Sequence, residues 1–197
     1  MTDRRELRRR LFARAAEQSG YFTAAQAREV GYSYQAQAYH VEAGNWIRVG
    51  RGLFRLHEWV PDVHDELARW VLWSGGVAVV SHETALQVHG IGEFESARVH
   101  LTVPAGFVRR DRAVVLHVGD LPVEDVQQGA GFQVTTPMRS LIDVAARGPD
   151  EEQLGRAIID ARSRGLVTLR RLRVRAEVVD PRAALYIERA LGRVGAS

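Results

Sequence analysis

The first 56 residues constrain the fold most strongly, because they read as two helices, a tight turn, a third helix and a strand hairpin. Leu7, Leu11 and Ala15 recur at every fourth position within residues 3–19, with Arg4, Arg5, Arg8 and Arg9 spread around them. That is the spacing of one helical face, and Gly20 ends it. Thr23 and Gln26 then form the T-x-x-Q pattern of a capping box, predicting a second helix that runs through Val30 and stops at Gly31. Ser33 caps a third helix from Tyr34 to Ala43, closed by Gly44. Two short strands, Trp46–Val49 and Leu53–Leu56, flank Gly50-Arg51-Gly52.

Two helices separated by a glycine turn and followed by a hairpin outline a winged helix-turn-helix. Alternation along the strands predicts Ile47 and Val49 on one face, with Phe54 across from Ile47, and Trp46, Arg48 and Arg55 on the other. An apolar side toward the helices and an arginine side outward suit a wing that touches DNA. In such a motif the start of the third helix enters the major groove. Val41 faces the core either with Tyr34 and Ala38 or with Gln37 and His40; under either phase Tyr39 points outward, and Gln35 lies outward or at the flank. Glutamine can pair bidentately with adenine, and tyrosine can bond a phosphate or pack on a thymine methyl. The candidate DNA-binding residues are therefore Tyr34, Gln35, Tyr39, Arg48, Arg51 and Arg55, with Gln35 and Tyr39 in the groove and the arginines on phosphates. A small helical domain with a solvated hairpin is the competing reading of the same residues.

Beyond Pro61 the pattern changes, which places an expected boundary near Glu58–Asp62 and divides the chain into 1–60 and 61–197. Helices are expected over residues 63–73, His82–His89, Pro137–Ala146, Glu151–Arg164, Leu169–Val174 and Arg182–Val194. Val77–Val80, Val99–Val103, Val114–Val118 and Phe132–Thr135 read as strands. The expected fold class is α+β: a winged helix-turn-helix followed by an α+β domain.

All 27 basic residues are arginine and there is no cysteine. Those absences remove disulfides, cysteine nucleophiles, thiolate zinc sites, the Walker lysine and Schiff-base chemistry. Residues 1–60 carry ten arginines against six acids, 61–150 seven against twelve, and 151–197 ten against six. Basic ends around an acidic middle imply segments with different partners, nucleic acid being one. The uncharged stretch Val71–Ser81 is far short of the ~18 residues that span a bilayer, and the N-terminus lacks the layout of a secretory signal. A cytoplasmic protein without membrane association is expected.

No catalytic pattern emerges. His82 and His89 are seven residues apart, about 10 Å along a helix axis, too far to share one zinc. His100 and His117 on predicted strands could join one of them but read more simply as core or surface histidines. Ser81 reads as a helix cap and Thr136-Pro137 as a helix start. No enzyme activity, cofactor or metal is expected.

Several segments together resemble the AbiEi-type antitoxins of type IV toxin–antitoxin systems. They are Gly50–Leu56, Ser81–Leu86, His89-Gly90, Val99–Pro104, Val134–Asp143 and Arg164–Thr168, spread in order over roughly residues 20–170. The resemblance implies an N-terminal winged helix that represses its own operon by binding operator DNA. It also implies a C-terminal domain that counteracts a nucleotidyltransferase-like toxin. It favours the helix phase with Gln37 inward, since relatives usually carry leucine there. Relatives also carry arginine at several positions where this chain has Tyr34, Gln35, Ala38 and Glu42, so fewer phosphate contacts are expected. A protein-interaction module or a solitary regulator without a toxin is the alternative, and the oligomeric state is open.

Overall fold

The computed structural model describes residues 3–195, which divide into two compact units. The first comprises the residues up to Ala78 with Gln128–Phe132, and the second Val79–Gln127 with the residues from Gln133 onward. The boundary expected near residue 60 falls inside the first unit, because the helix that follows it is part of that unit.

The first unit combines α1 (Arg4–Ala16), α2 (Ala24–Val30) and α3 (Tyr34–Glu42) with a three-stranded antiparallel sheet whose first strand lies between α1 and α2. Its order is β1 (Tyr21–Thr23), β3 (Leu53–Leu56), β2 (Trp46–Gly50). The predicted capping box is present: Thr23 Oγ1 accepts from Gln26 N–H, and the Gln26 carboxamide oxygen accepts from Thr23 N–H. Ser33 caps α3 by accepting from Ala36 N–H. Gly31 makes the turn at φ 122°, and a Cβ there would lie 2.9 Å from Leu7 Cδ2, so the turn is pressed onto α1.

The faces of β2 are the reverse of those expected, with Trp46 turned to the helices and Ile47 away, whereas those of β3 are as expected, with Phe54 inward and Arg55 on the other side. Cross-strand partners share a face, and the pairs are Trp46 with Leu56, Arg48 with Phe54, and Ile47 with Arg55. Trp46, Phe54, Leu56 and Phe22 therefore face the helices, in a core with Leu11, Ala15, Ala27 and Tyr32. Ile47, Leu53, Arg55 and Tyr21 turn the other way. That second face is not bare, because α4 (Asp65–Trp73) packs on β1 and β3, and Tyr21 and Leu53 are buried. A sheet covered on both sides loses the alternation that separates inside from outside. β1 was also unpredicted, since three residues are too short to show a period.

The second unit holds a five-stranded sheet ordered β6 (Val114–Val118), β5 (Val99–Val103), β4 (Val79–Val80), β8 (Gln133–Thr135), β7 (Val126–Gln128). β5 runs antiparallel to β4 and parallel to β6, and β8 runs parallel to β4. Five helices complete it: α5 (His82–Val88), α6 (Pro137–Ala146), α7 (Glu151–Ser163), α8 (Leu169–Val179) and α9 (Pro181–Gly195). α6, α7 and α8 all pack on α9, whose Ala183, Ile187 and Ala190 are fully buried with Leu141, Leu154, Ile158 and Leu172. α8 extends five residues past its predicted end, because Ala176 and Val179 continue the inward stripe begun by Leu172. Ser81 precedes α5, but its side chain makes no capping bond.

α9 packs tightly on α7 at Gly155, where a Cβ would overlap Val194 Cγ2 and lie 2.6 Å from the Ala190 carbonyl oxygen. Gly192, on α9, has open space around its missing Cβ. Gly155→Ala is expected to destabilise the protein by about 1–3 kcal/mol through overpacking. Gly192→Ala is expected to stabilise it by up to about 1 kcal/mol through helix propensity. Urea denaturation followed by circular dichroism checks the opposite signs; a loss at both positions or at neither would refute the packing account.

Candidate nucleic-acid interface and a buried polar cluster

The helix-turn-helix is fixed from within by Gln37. This residue is 3% exposed, and its side-chain amide donates to the backbone carbonyls of Ala24 (3.1 Å) and Tyr32 (3.3 Å). Its burial settles the phase of α3, with Gln37 inward and Tyr34, Gln35, Ala38, Tyr39 and Glu42 exposed. Tyr34 and Tyr39 are 65% and 64% exposed, a large aromatic surface to leave in water. The Arg28 guanidinium, from α2, sits 4.6 Å above the Tyr34 ring and brings a cation to a helix face that has none of its own. On the other side of α3, His40 stacks on Trp46 at 4.8 Å, and burial pushes its pKa down.

The three wing arginines are not equivalent. Arg51 is exposed in the turn beside Gly52, which takes φ 65°. Arg48 is exposed on the same sheet face as Phe54, with its guanidinium 5.3 Å from that ring. Arg55 lies on the opposite face, half-buried, with its Nε enclosed and unbonded and its guanidinium near the Tyr21 ring. Tyr34, Gln35 and Tyr39 thus share one helix face and Arg48 and Arg51 lie open on the hairpin, while Arg55 is set apart from them. Sequence alternation missed the contribution of Arg28. A cavity of about 900 Å³ between α1, α3 and β2, floored by Trp46 and Tyr32, borders Tyr39 on its inner side.

In the second unit, two of the segments that carried the resemblance, Ser81–Leu86 and Val99–Pro104, meet in a buried polar cluster with His117 and Arg147. Thr102 Oγ1 donates to Ser81 Oγ (2.8 Å), which is also hydrogen-bonded to His82 Nδ1 at 2.9 Å. The His82 ring stacks on His117 at 3.5 Å, and His117 Nε2 is 3.1 Å from His100 Nδ1. A Glu83 carboxylate oxygen is 2.8 Å from the same His100 nitrogen, and Arg147 stands 3.8 Å from its other oxygen. His82 has φ 54°, a left-handed conformation costly for a residue with a Cβ. His82, His100 and His117, separate in the sequence reading, are therefore a single group, whereas His89 stands apart and bonds the Thr135 carbonyl. Among the described residues, no three His, Cys, Asp or Glu side chains are arranged to hold a metal ion.

Nearby, Arg139 donates to Asp143 (2.7 Å) and Asp125 (3.0 Å), and Arg175 donates to Asp125 (2.8 Å). These contacts tie the segment before β7 to α6 and α8. Burial pushes Asp143 up to about 6, against the pull of Arg139. Burial and the neighbouring His117 push His82 down to about 2, and burial with His100 pushes His117 down to about 4. Burial would raise Glu83, but the bond to His100 and its own backbone N–H outweigh that and hold it at about 2.

Between pH 6.5 and 4 the unfolded chain takes up protons on His82 and His117 that the folded protein refuses, so stability falls as pH falls. Asp143 works the other way between about 6 and 3.8, because the folded protein holds that proton more tightly. His40 and His89, also lowered by burial, and Glu83 below pH 4.5 add to the histidine side, so the net of one proton or more predicts a loss of at least about 1 kcal/mol per pH unit below pH 6. Denaturant titrations at several pH values check it, and His117→Gln should flatten the slope; a stability that rises toward pH 4.5 would contradict it. Arg139→Met, which leaves the buried Asp143 carboxyl without its partner while Asp125 keeps Arg175, should cost about 3 kcal/mol in the same assay.

Three comparisons bear on identity. The RV2827C protein from Mycobacterium tuberculosis, known from a crystal structure, has the same fold with TM-score 0.61 at 13% identity, covering 93% of this chain and 77% of that one. No curated protein is matched. A family model described as transcriptional regulator, AbiEi antitoxin matches residues 9–57, and one described as AbiEi antitoxin C-terminal domain matches residues 77–191. The second match alone covers more than half of the sequence, and the chain belongs to the AbiEi antitoxin family, whose members are antitoxins and transcriptional regulators.

Proposed function

We propose that the first unit binds double-stranded operator DNA and represses the protein's own operon, and that the second unit counteracts a nucleotidyltransferase-like toxin. The protein acts in the cytoplasm by binding and not by catalysis. The observation that carries the DNA-binding part is the exposed face of α3, where Tyr34, Gln35 and Tyr39 leave the core entirely while Gln37 clamps the helix to α2. Gln35 is the base reader, with Tyr34 and Tyr39 packing on sugar or methyl groups. Arg48 and Arg51 hold phosphates, joined by Arg28 beside Tyr34. Arg55 would contribute only through the outer end of its guanidinium, since its Nε is enclosed.

A second reading, a protein-binding module that has given up DNA, is favoured by one specific feature. The outward face of α3 carries no cation of its own and exposes Glu42. Co-purification with a nucleotidyltransferase-like protein, without DNA affinity, would support it.

Fluorescence anisotropy on the upstream region of the gene, repeated over a range of salt, separates the two. Arg48→Ala and Arg51→Ala are each expected to lower the salt slope by about 1 and to weaken all sequences alike. Gln35→Ala should instead reduce discrimination at one base pair by about 1–3 kcal/mol. Unchanged slopes in both arginine variants would remove the wing from the interface.

A further inference from the structure

The five-stranded sheet ends in β6, and among the described residues β6 pairs with β5 alone. The Ala113 carbonyl accepts from Val99 N–H, and Gly119 N–H donates to the Val103 carbonyl. Alternation therefore turns the backbone groups of residues 113, 115, 117 and 119 toward β5, and those of Val114, Leu116 and Val118 outward, where the Val114 N–H makes one long bond, 3.5 Å, to the Asp111 carbonyl. Open edges of this kind are usually blunted by a charged side chain, a proline or a bulge within the strand. Val114–Val118 contains none of these, and Val118 is 67% exposed. The charges stand just outside the strand instead: Arg112 before it and Asp120 after it, both exposed.

That placement is complementary to itself. Antiparallel pairing of two copies about Leu116 opposes Val114 to Val118, Leu116 to Leu116 and Arg112 to Asp120, the last at both ends. The residues whose N–H and C=O groups point outward are the ones that exchange hydrogen bonds in this register. A parallel pairing in register would oppose like charges at each end, and a purely acidic strand from another protein would leave Asp120 facing a like charge.

We propose that β6 is a self-association edge, through which two copies of this chain join their sheets antiparallel about a two-fold axis at Leu116. The inference is independent of DNA binding. A single five-residue strand contact is a small interface, so the dimer is weak, with a dissociation constant on the order of 100 µM.

Sedimentation velocity on the full chain over a range of concentrations tests it, with circular dichroism to confirm folding. A concentration-dependent dimer is expected. Arg112→Glu and Asp120→Arg should each raise the dissociation constant on the order of tenfold by setting like charges opposite, and the double exchange should restore it. Leu116→Pro deletes one outward N–H while the bonds toward β5 remain, and should abolish the dimer. If that variant fails to fold, the charge exchange still decides. A monomer at every concentration, a dimer indifferent to both single charge changes, or single losses that the double exchange does not recover would each overturn the proposal.

Discussion

Trp46 holds the hairpin and the third helix of the first unit in one frame. It begins β2, yet its indole packs edge-on against Phe22 and Tyr32 at 4.8 and 5.0 Å and lies flat against His40 at 4.8 Å. Those partners come from β1, the α2–α3 turn and α3 itself. One side chain at the root of the wing thus fixes the hairpin to the third helix, and aromatic pairs of this geometry add about 0.5–1.5 kcal/mol each beyond their burial. The chain can leave Tyr34 and Tyr39 in solvent because the position of α3 is set by its other face, through His40, Gln37 and Tyr32.

The second unit depends on a different kind of interaction. Its buried charges are satisfied by arginine, whose planar fork reaches two acceptors at once: Arg139 joins Asp125 to Asp143, and Arg164 donates to the carbonyls of His89 and Gly90 at the end of α5. A lysine ammonium cannot reproduce that planar geometry. Within the polar cluster, burial penalises the charged forms of His82 and His117 and holds both neutral.

Much of this was legible in the sequence where the signal is local. The capping box at Thr23, the cap at Ser33 and the Thr136-Pro137 start of α6 depend on neighbours within four residues, and all three form as read. What failed was information carried by distant chain. The phase of the hairpin depends on α4 covering its second face, and the role of Ser81 is set by Thr102, 21 residues away. The clustering of His82, His100 and His117 likewise needs the β5–β6 register, which pairs Thr102 with His117 and His100 with Val115. The resemblance segments gave no sign that polar side chains of Ser81–Leu86 and Val99–Pro104 meet one another.

The first unit is proposed to read a particular DNA sequence through the face of α3, which is nearly free of charge. Competition between the protein's own upstream region and scrambled DNA of equal length, at one physiological salt concentration, tests it most directly. The account predicts preference for the native sequence of about 10³-fold or more, the ratio expected of base readout. Equal affinity for both sequences would contradict it and leave the second unit as the seat of function.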